Sequence, residues 1–215
     1  MTNTRDAVYE ALHRRLIEGY YGAGSSLVPQ TISDEFKVSR TPVREALGLL
    51  ERAGLLTATS RGFVLRERSD EEMLEIFEVR EILESNATAA AARRRNSIDL
   101  VRLREICAQG RESSDPAEIR RSLNRFHDCI RVAAHNETIS TMLSTLSAQI
   151  KVSAPWRLAS RVEGLEQSQR DHEAILETIV AGDPEGARAA MLDHLGHDRE
   201  NRITQFVAHQ DQRRS

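Results

Sequence analysis

The stretch KVSRTPVREALGLLERAGLL, residues 37–56, opens with three cations among its first eight residues and closes as a leucine-rich helix. Ser39 stands where a helix cap belongs. Pro42 falls in the first turn, where a missing N–H costs nothing because the first donors of a helix have no intrahelical partner. Gly54 is the expected stop. Between these signals Val43, Ala46, Leu47 and Leu50 share an apolar back face, while Arg40, Thr41 and Arg44 crowd the front of the first turn. This is the layout of the second helix of a helix-turn-helix, whose N-terminal residues meet base edges while its back face is held by a core. Arg can bond guanine O6 and N7 together, and Thr can meet a phosphate or a thymine methyl.

A cation-rich first turn is by itself more often plain solvated surface. The flanking elements favour the nucleic-acid reading. Upstream, Val8, Leu12, Leu16 and Ile17 mark one helix, GYYGAGSSLVP a loop, and QTISDEF a second short helix. Downstream, GLLTATSRGFVLRE contains two β-prone runs around a turn at Ser60 to Gly62. The order is helix, helix, helix, hairpin.

From Ser69 onward the periodicity is helical almost throughout. Ser69 with Glu72 forms a capping box, and Asp115-Pro116 and Asp183-Pro184 each place a cap before a first-turn proline. Six or seven helices are expected here, with the segment 151–164 the least regular. The fold class is therefore mostly α: a winged helix-turn-helix over 1–68 with a small hairpin wing, then an all-α bundle over 69–215.

Charge follows the same division. The whole chain carries −3, but residues 1–68 hold ten Arg/Lys against eight Asp/Glu, so an acidic body follows a weakly basic head. Two cysteines without metal-type spacing argue for a reducing compartment. With no apolar run of membrane-spanning length and no signal peptide, a cytoplasmic protein is expected.

At this point a resemblance becomes specific. The run from Tyr9 to Leu65, with VSRTPVREAL at its centre, resembles the winged helix-turn-helix of GntR-family bacterial transcription regulators. The resemblance implies that Arg40, Thr41 and Arg44 contact operator DNA and that Arg61 and Gly62 form the wing tip. A single head reads few base pairs, so a homodimer on a palindromic operator is expected.

In the body, three histidines stand on three apolar stripes. His127 lies among Ile119, Leu123, Phe126, Ile130 and Ala133; His172 precedes Ile175, Leu176 and Ile179; His194 follows Ala187, Ala190 and Met191. One such histidine is usually a satisfied core residue, whereas three gathered between helices make a natural divalent-metal site, zinc or nickel above all. Arg80 sits within the stripe Met73, Phe77, Leu83, Ala87 and Ala90, either paired with Glu84 one turn on or serving as an anchor for an anionic ligand.

The segments EVREILESNATAAAA, RFHDCIRVAAHNETI and DHEAILETIVAGDPEGARAAMLDHL resemble the helical effector domain of the FadR branch of the same family. That resemblance implies a metal on three histidines plus an Asp or Asn one turn before the first. Here that place is taken by Leu123, and Asn124 is the nearest substitute ligand. It also implies a small carboxylate effector, which a divalent ion and Arg80 would hold between them. Two alternatives stay open: a metal-dependent hydrolase built on the same histidines, and a regulator with a metal-free pocket. The hydrolase is weakened because the second histidine of an H-E-x-x-H helix would fall at Leu176.

Overall fold

The computed structural model describes residues 4–22, 24–153 and 164–214. The side chains of 201–202 and 205–214 are outside the description, and so are residues 154–163, which take in most of the segment 151–164. The elements run α1 (Thr4–Glu18), β1 (Ser26–Leu27), α2 (Pro29–Phe36), α3 (Arg40–Arg52), β2 (Leu56–Thr59) and β3 (Gly62–Leu65). They continue as α4 (Asp70–Arg94), α5 (Ser97–Glu112), α6 (Pro116–Ala133), α7 (Glu137–Val152), α8 (Leu165–Ala181) and α9 (Pro184–Arg214). No helix among the described residues is long and apolar enough to cross a membrane.

The chain forms two compact units. The first contains the residues up to Met73 together with the end of α7 from Ser147; the second contains Leu74 to Leu146 and the later helices. In the first unit Leu12 and Leu16 of α1 pack with Leu47 and Leu50 of α3 around a core that Leu55 and Leu56 extend into the sheet. Ala148 and Val152 of α7 belong to that same core. These residues of α7 lie beyond the boundary expected between 68 and 69. The cause is that the last turns of α7 carry apolar side chains that complete the head.

The quoted helix stops as expected. Gly54 has a φ of +72°, and Leu55 donates its N–H back to the Leu50 carbonyl, so the last carbonyls of α3 are closed in a left-handed turn. Ser39 is the N-cap of α3 but makes no side-chain cap bond. The sheet is three-stranded and antiparallel, in the order β1-β3-β2. The hairpin was legible in the sequence; β1 was read as loop, because two residues are too few to show alternation. Gly62 faces β1 across the sheet, with a φ of +143° and a hypothetical Cβ only 2.6 Å from the Leu27 carbonyl oxygen. Only glycine fits there.

From Ser69 onward the capping signals hold. Ser69 and Glu72 bond each other's backbone N–H, and Asp115 and Asp183 accept from Ala117 and Gly186. Asn96 and Asp99 form a further capping box at the start of α5. Phe126 and Ile130 of α6, Ile175 and Ile179 of α8, and Met191 and Leu195 of α9 form one core with Leu103 and Ile106 of α5. Each histidine stripe therefore faces this core, and so do the histidines.

Candidate metal centre and nucleic-acid interface

In the head, Val43, Ala46, Leu47 and Leu50 have no exposed surface, which turns Arg40, Thr41 and Arg44 outward at the start of α3. Arg61 is exposed at the hairpin tip. Among the described residues none of these three guanidinium groups is held in an ion pair. Three uncommitted cations on one small unit are suited to phosphate and base contact. Gly62 is accounted for by its packing on Leu27, so any part it takes in the wing is through the backbone.

In the body, α6, α8 and α9 bring His127, His172 and His194 together, all three buried. Their Nε2 atoms stand 3.2 Å apart in each of the three pairings. Phe126 stacks on the His172 ring at 4.3 Å between centroids and keeps water from that side.

In His127 and His194 the opposite ring nitrogen is held by a carboxylate. His127 Nδ1 lies 2.7 Å from Glu84 Oε1, and His194 Nδ1 lies 3.2 Å from Asp171 Oδ2. Burial alone would raise the Glu84 carboxyl, but His127 and Arg80 beside it hold it well below the usual range. Burial would likewise raise Asp171, yet hydrogen bonds from His194, His197 and Gln167 bring it to about 2. Both carboxylates are thus ionised and can only accept, so each facing Nδ1 carries the proton and each Nε2 presents a lone pair. Burial also pushes the His127 and His172 imidazoles toward the neutral form; for His172 the effect is large, with His127 and His194 adding to it.

Imidazole nitrogens converging on one point, with the second nitrogen of His127 and of His194 tied to a carboxylate, are a donor set that divalent transition metals take. The spacing fits as well. The centre of a triangle with 3.2 Å sides is about 1.8 Å from each corner, close to the ~2.0–2.1 Å of zinc–imidazole bonds, so the three histidines could hold a divalent ion between them.

Asn124 does not join this group. It is exposed, and its amide donates to the Arg120 carbonyl one turn back at 2.9 Å. A helix turns about 100° per residue, so the position three before His127 is rotated away from the cluster. Leu123, one full turn before His127, is the residue on the correct side and lines a hollow of about 10 Å³ beside Phe126 and His172. Glu173 turns outward too, 3.7 Å from Arg111 and partly exposed, so no general base stands where a zincin would need one.

Arg80 pairs with Glu84, Nε to Oε2 at 2.7 Å, and also with Asp198, NH1 to Oδ2 at 2.9 Å. These two neighbours hold its charge more firmly than burial opposes it. Glu84 and Asp198 thus offset the charge of Arg80. Asp171 and Asp198 were missed in the sequence. Asp198 had a signal, because it lies one turn beyond His194 on the same face. Asp171, adjacent to His172 in sequence, had none.

Comparison with known proteins agrees with both halves. The family model for bacterial regulatory proteins of the gntR family matches residues 4–64, and that for the FCD domain matches residues 75–197. The HTH-type transcriptional regulator LutR of Bacillus subtilis is 27% identical, covering 77% of this chain and 85% of its own. The putative L-lactate dehydrogenase operon regulatory protein of Escherichia coli is also 27% identical, over 88% of this chain and 83% of its own. Among solved structures, E. coli McbR/YncC superposes with a TM-score of 0.82 over 96% of this chain and all of its own, at 23% identity. A putative GntR regulator from Rhodococcus sp. RHA1 does so with a TM-score of 0.75 over 93% and 97%, at 19% identity. These two likenesses concern the fold.

Proposed function

Since the chain belongs to the gntR family of bacterial regulatory proteins and carries an FCD domain after its DNA-binding head, we propose that it is a homodimeric, cytoplasmic regulator tuned by a small carboxylate. In this reading α3 and the wing grip operator DNA, and two heads related by a two-fold axis read the two half-sites of a palindrome. His127, His172 and His194 hold a divalent ion, zinc or nickel, and the ion supplies a Lewis-acidic position for a carboxylate oxygen.

The observation that carries the proposal is the three-way approach of the histidine Nε2 atoms at 3.2 Å. Three buried imidazoles with their lone pairs facing one another are costly without a shared cation. The protein's own residues do the rest: Glu84 and Asp171 fix the tautomers, Phe126 keeps the site dry, and Arg80 supplies a second cation for the acid. The relative named for the L-lactate dehydrogenase operon directs attention to hydroxy acids, with lactate the first to try.

Regulation would follow from linkage. An acid that binds one arrangement of the dimer better than another shifts the heads by that difference in affinity. Metal analysis together with native mass spectrometry of the purified protein tests the reading: one divalent ion per chain in a dimer is expected. A metal-free protein that takes up neither zinc nor nickel would overturn the site.

A further inference from the structure

Arg80 is engaged on both sides, and its two acceptors differ in kind. Glu84 is 1% exposed, and its second oxygen holds His127, so it cannot leave without unmaking the histidine cluster. Asp198 is 25% exposed at the side chain and lies on α9 one turn past His194. With an acceptor on each side, Arg80 can take an incoming carboxylate only where one of the two leaves.

We infer that Asp198 is an internal stand-in for the effector carboxylate, occupying the Arg80 guanidinium until an acid replaces it. This rests on the carboxylate reading above. The exchange is one carboxylate for another on the same N–H donor, so charge and hydrogen bonding are conserved and the balance between the two states is close.

Departure of Asp198 has a structural consequence because of its neighbours. His197 bonds Asp171 of α8 at 3.1 Å, and Arg199 pairs with Glu81 of α4 at 3.0 Å. Three consecutive residues thus pin one stretch of α9 to two other helices. Immediately before them stands Gly196, whose missing side chain would meet nothing within 4 Å. Packing does not call for glycine here, and a mid-helix glycine lowers the cost of leaving helical geometry. When an acid takes Arg80, the stretch from His197 onward loses the innermost of its three pins. The same Asp171 supports His194, so the pinned stretch and the metal ligands share a partner.

Isothermal titration of the zinc-loaded, full-length protein with acetate, L-lactate and succinate tests this, in the wild type, Asp198→Asn and Arg80→Gln. Asn keeps the size of Asp and removes its charge. Asp198→Asn is expected to bind the acids about tenfold more tightly, because the internal competitor is gone. Arg80→Gln is expected to lose most of the affinity. Hydrogen exchange over residues 197–204 should quicken with acid in the wild type and be fast without acid in Asp198→Asn. Acid binding that is unchanged or weaker in Asp198→Asn would overturn the competition and leave the carboxylate reading standing. If neither the wild type nor Asp198→Asn bound any of the three acids, both would fall.

Discussion

Glu84 and His127 form the innermost pair of the molecule, Oε1 to Nδ1 at 2.7 Å, with the carboxylate 1% exposed and ionised. The pairing settles which imidazole nitrogen carries the proton, and hence that Nε2 is available to a metal. Carboxylate partners of this kind orient the ligand and raise its basicity. Glu84→Gln is therefore expected to weaken zinc binding by about 10- to 100-fold, the usual cost of losing such a partner. Chelator competition measures it; unchanged affinity would show that Glu84 serves only Arg80.

Acidification should act on the metal-free protein through His127 and His172. Both are held toward the neutral form when folded, whereas unfolded imidazoles protonate around pH 6.5. Below that pH the unfolded chain binds more protons, so stability is full at neutral pH and falls as the pH drops from about 6.5. Asp171 adds a second loss at lower pH, between its ordinary 3.8 and its folded value of about 2. Urea unfolding at pH 7.5 and 5.5 should show the lower midpoint in acid, and added zinc should widen the gap.

In the head, Arg44→Ala is expected to cost about 1–3 kcal/mol at one base position of each half-site, and Arg40→Ala a similar amount. Arg61→Ala at the hairpin tip should weaken binding more evenly across sequences and reduce its salt dependence. Fluorescence anisotropy on a selected operator separates the two behaviours. Operator affinity and sequence preference that survive both α3 substitutions would remove that helix from the interface.

Val152 has no exposed surface and lies in the core of the head although it belongs to α7. The α7 seam is polar as well: Gln149 donates to the Ala53 carbonyl at 2.9 Å, and Arg68 reaches Ser153. Val152→Ala should destabilise the head by about 1–3 kcal/mol. A fragment of residues 1–68, lacking Ala148 and Val152, should melt well below the full chain by circular dichroism. Equal melting temperatures would make the head autonomous.

The sequence carried those features that local rules govern. The caps at Ser69, Asp115 and Asp183, the stop at Gly54 and the apolar face of α3 follow from periodicity and helix-end chemistry within a few residues. The three histidines were legible for the same reason, each being on the buried side of its own helix. What escaped depends on contacts between distant segments. β1 exists only because Gly62 lets Leu27 approach β3, and the end of α7 joins the head through packing that no local pattern announces. Asn124, three residues before His127, is exposed and bonded back to the Arg120 carbonyl, whereas Leu123, a full turn before His127, stands nearer the cluster.

That last point leads to a substitution that adds a ligand. Leu123 lies one turn before His127, partly buried beside Phe126 and His172, on the side of α6 that faces the cluster. An aspartate there would direct a carboxylate toward the point on which the three Nε2 atoms converge. Leu123→Asp is therefore expected to raise zinc affinity by about tenfold, through a fourth, charged ligand. The same carboxylate would take the position proposed for the acid, so acid binding should weaken as metal binding strengthens. Opposite movement of these two affinities is the diagnostic, and a structural role for Leu123 cannot produce it. Chelator competition and acid titration on the same preparation measure both. If Leu123→Asp weakened zinc binding, the open side of the centre would have to face away from α6, and the acid would approach from the α8 or α9 side.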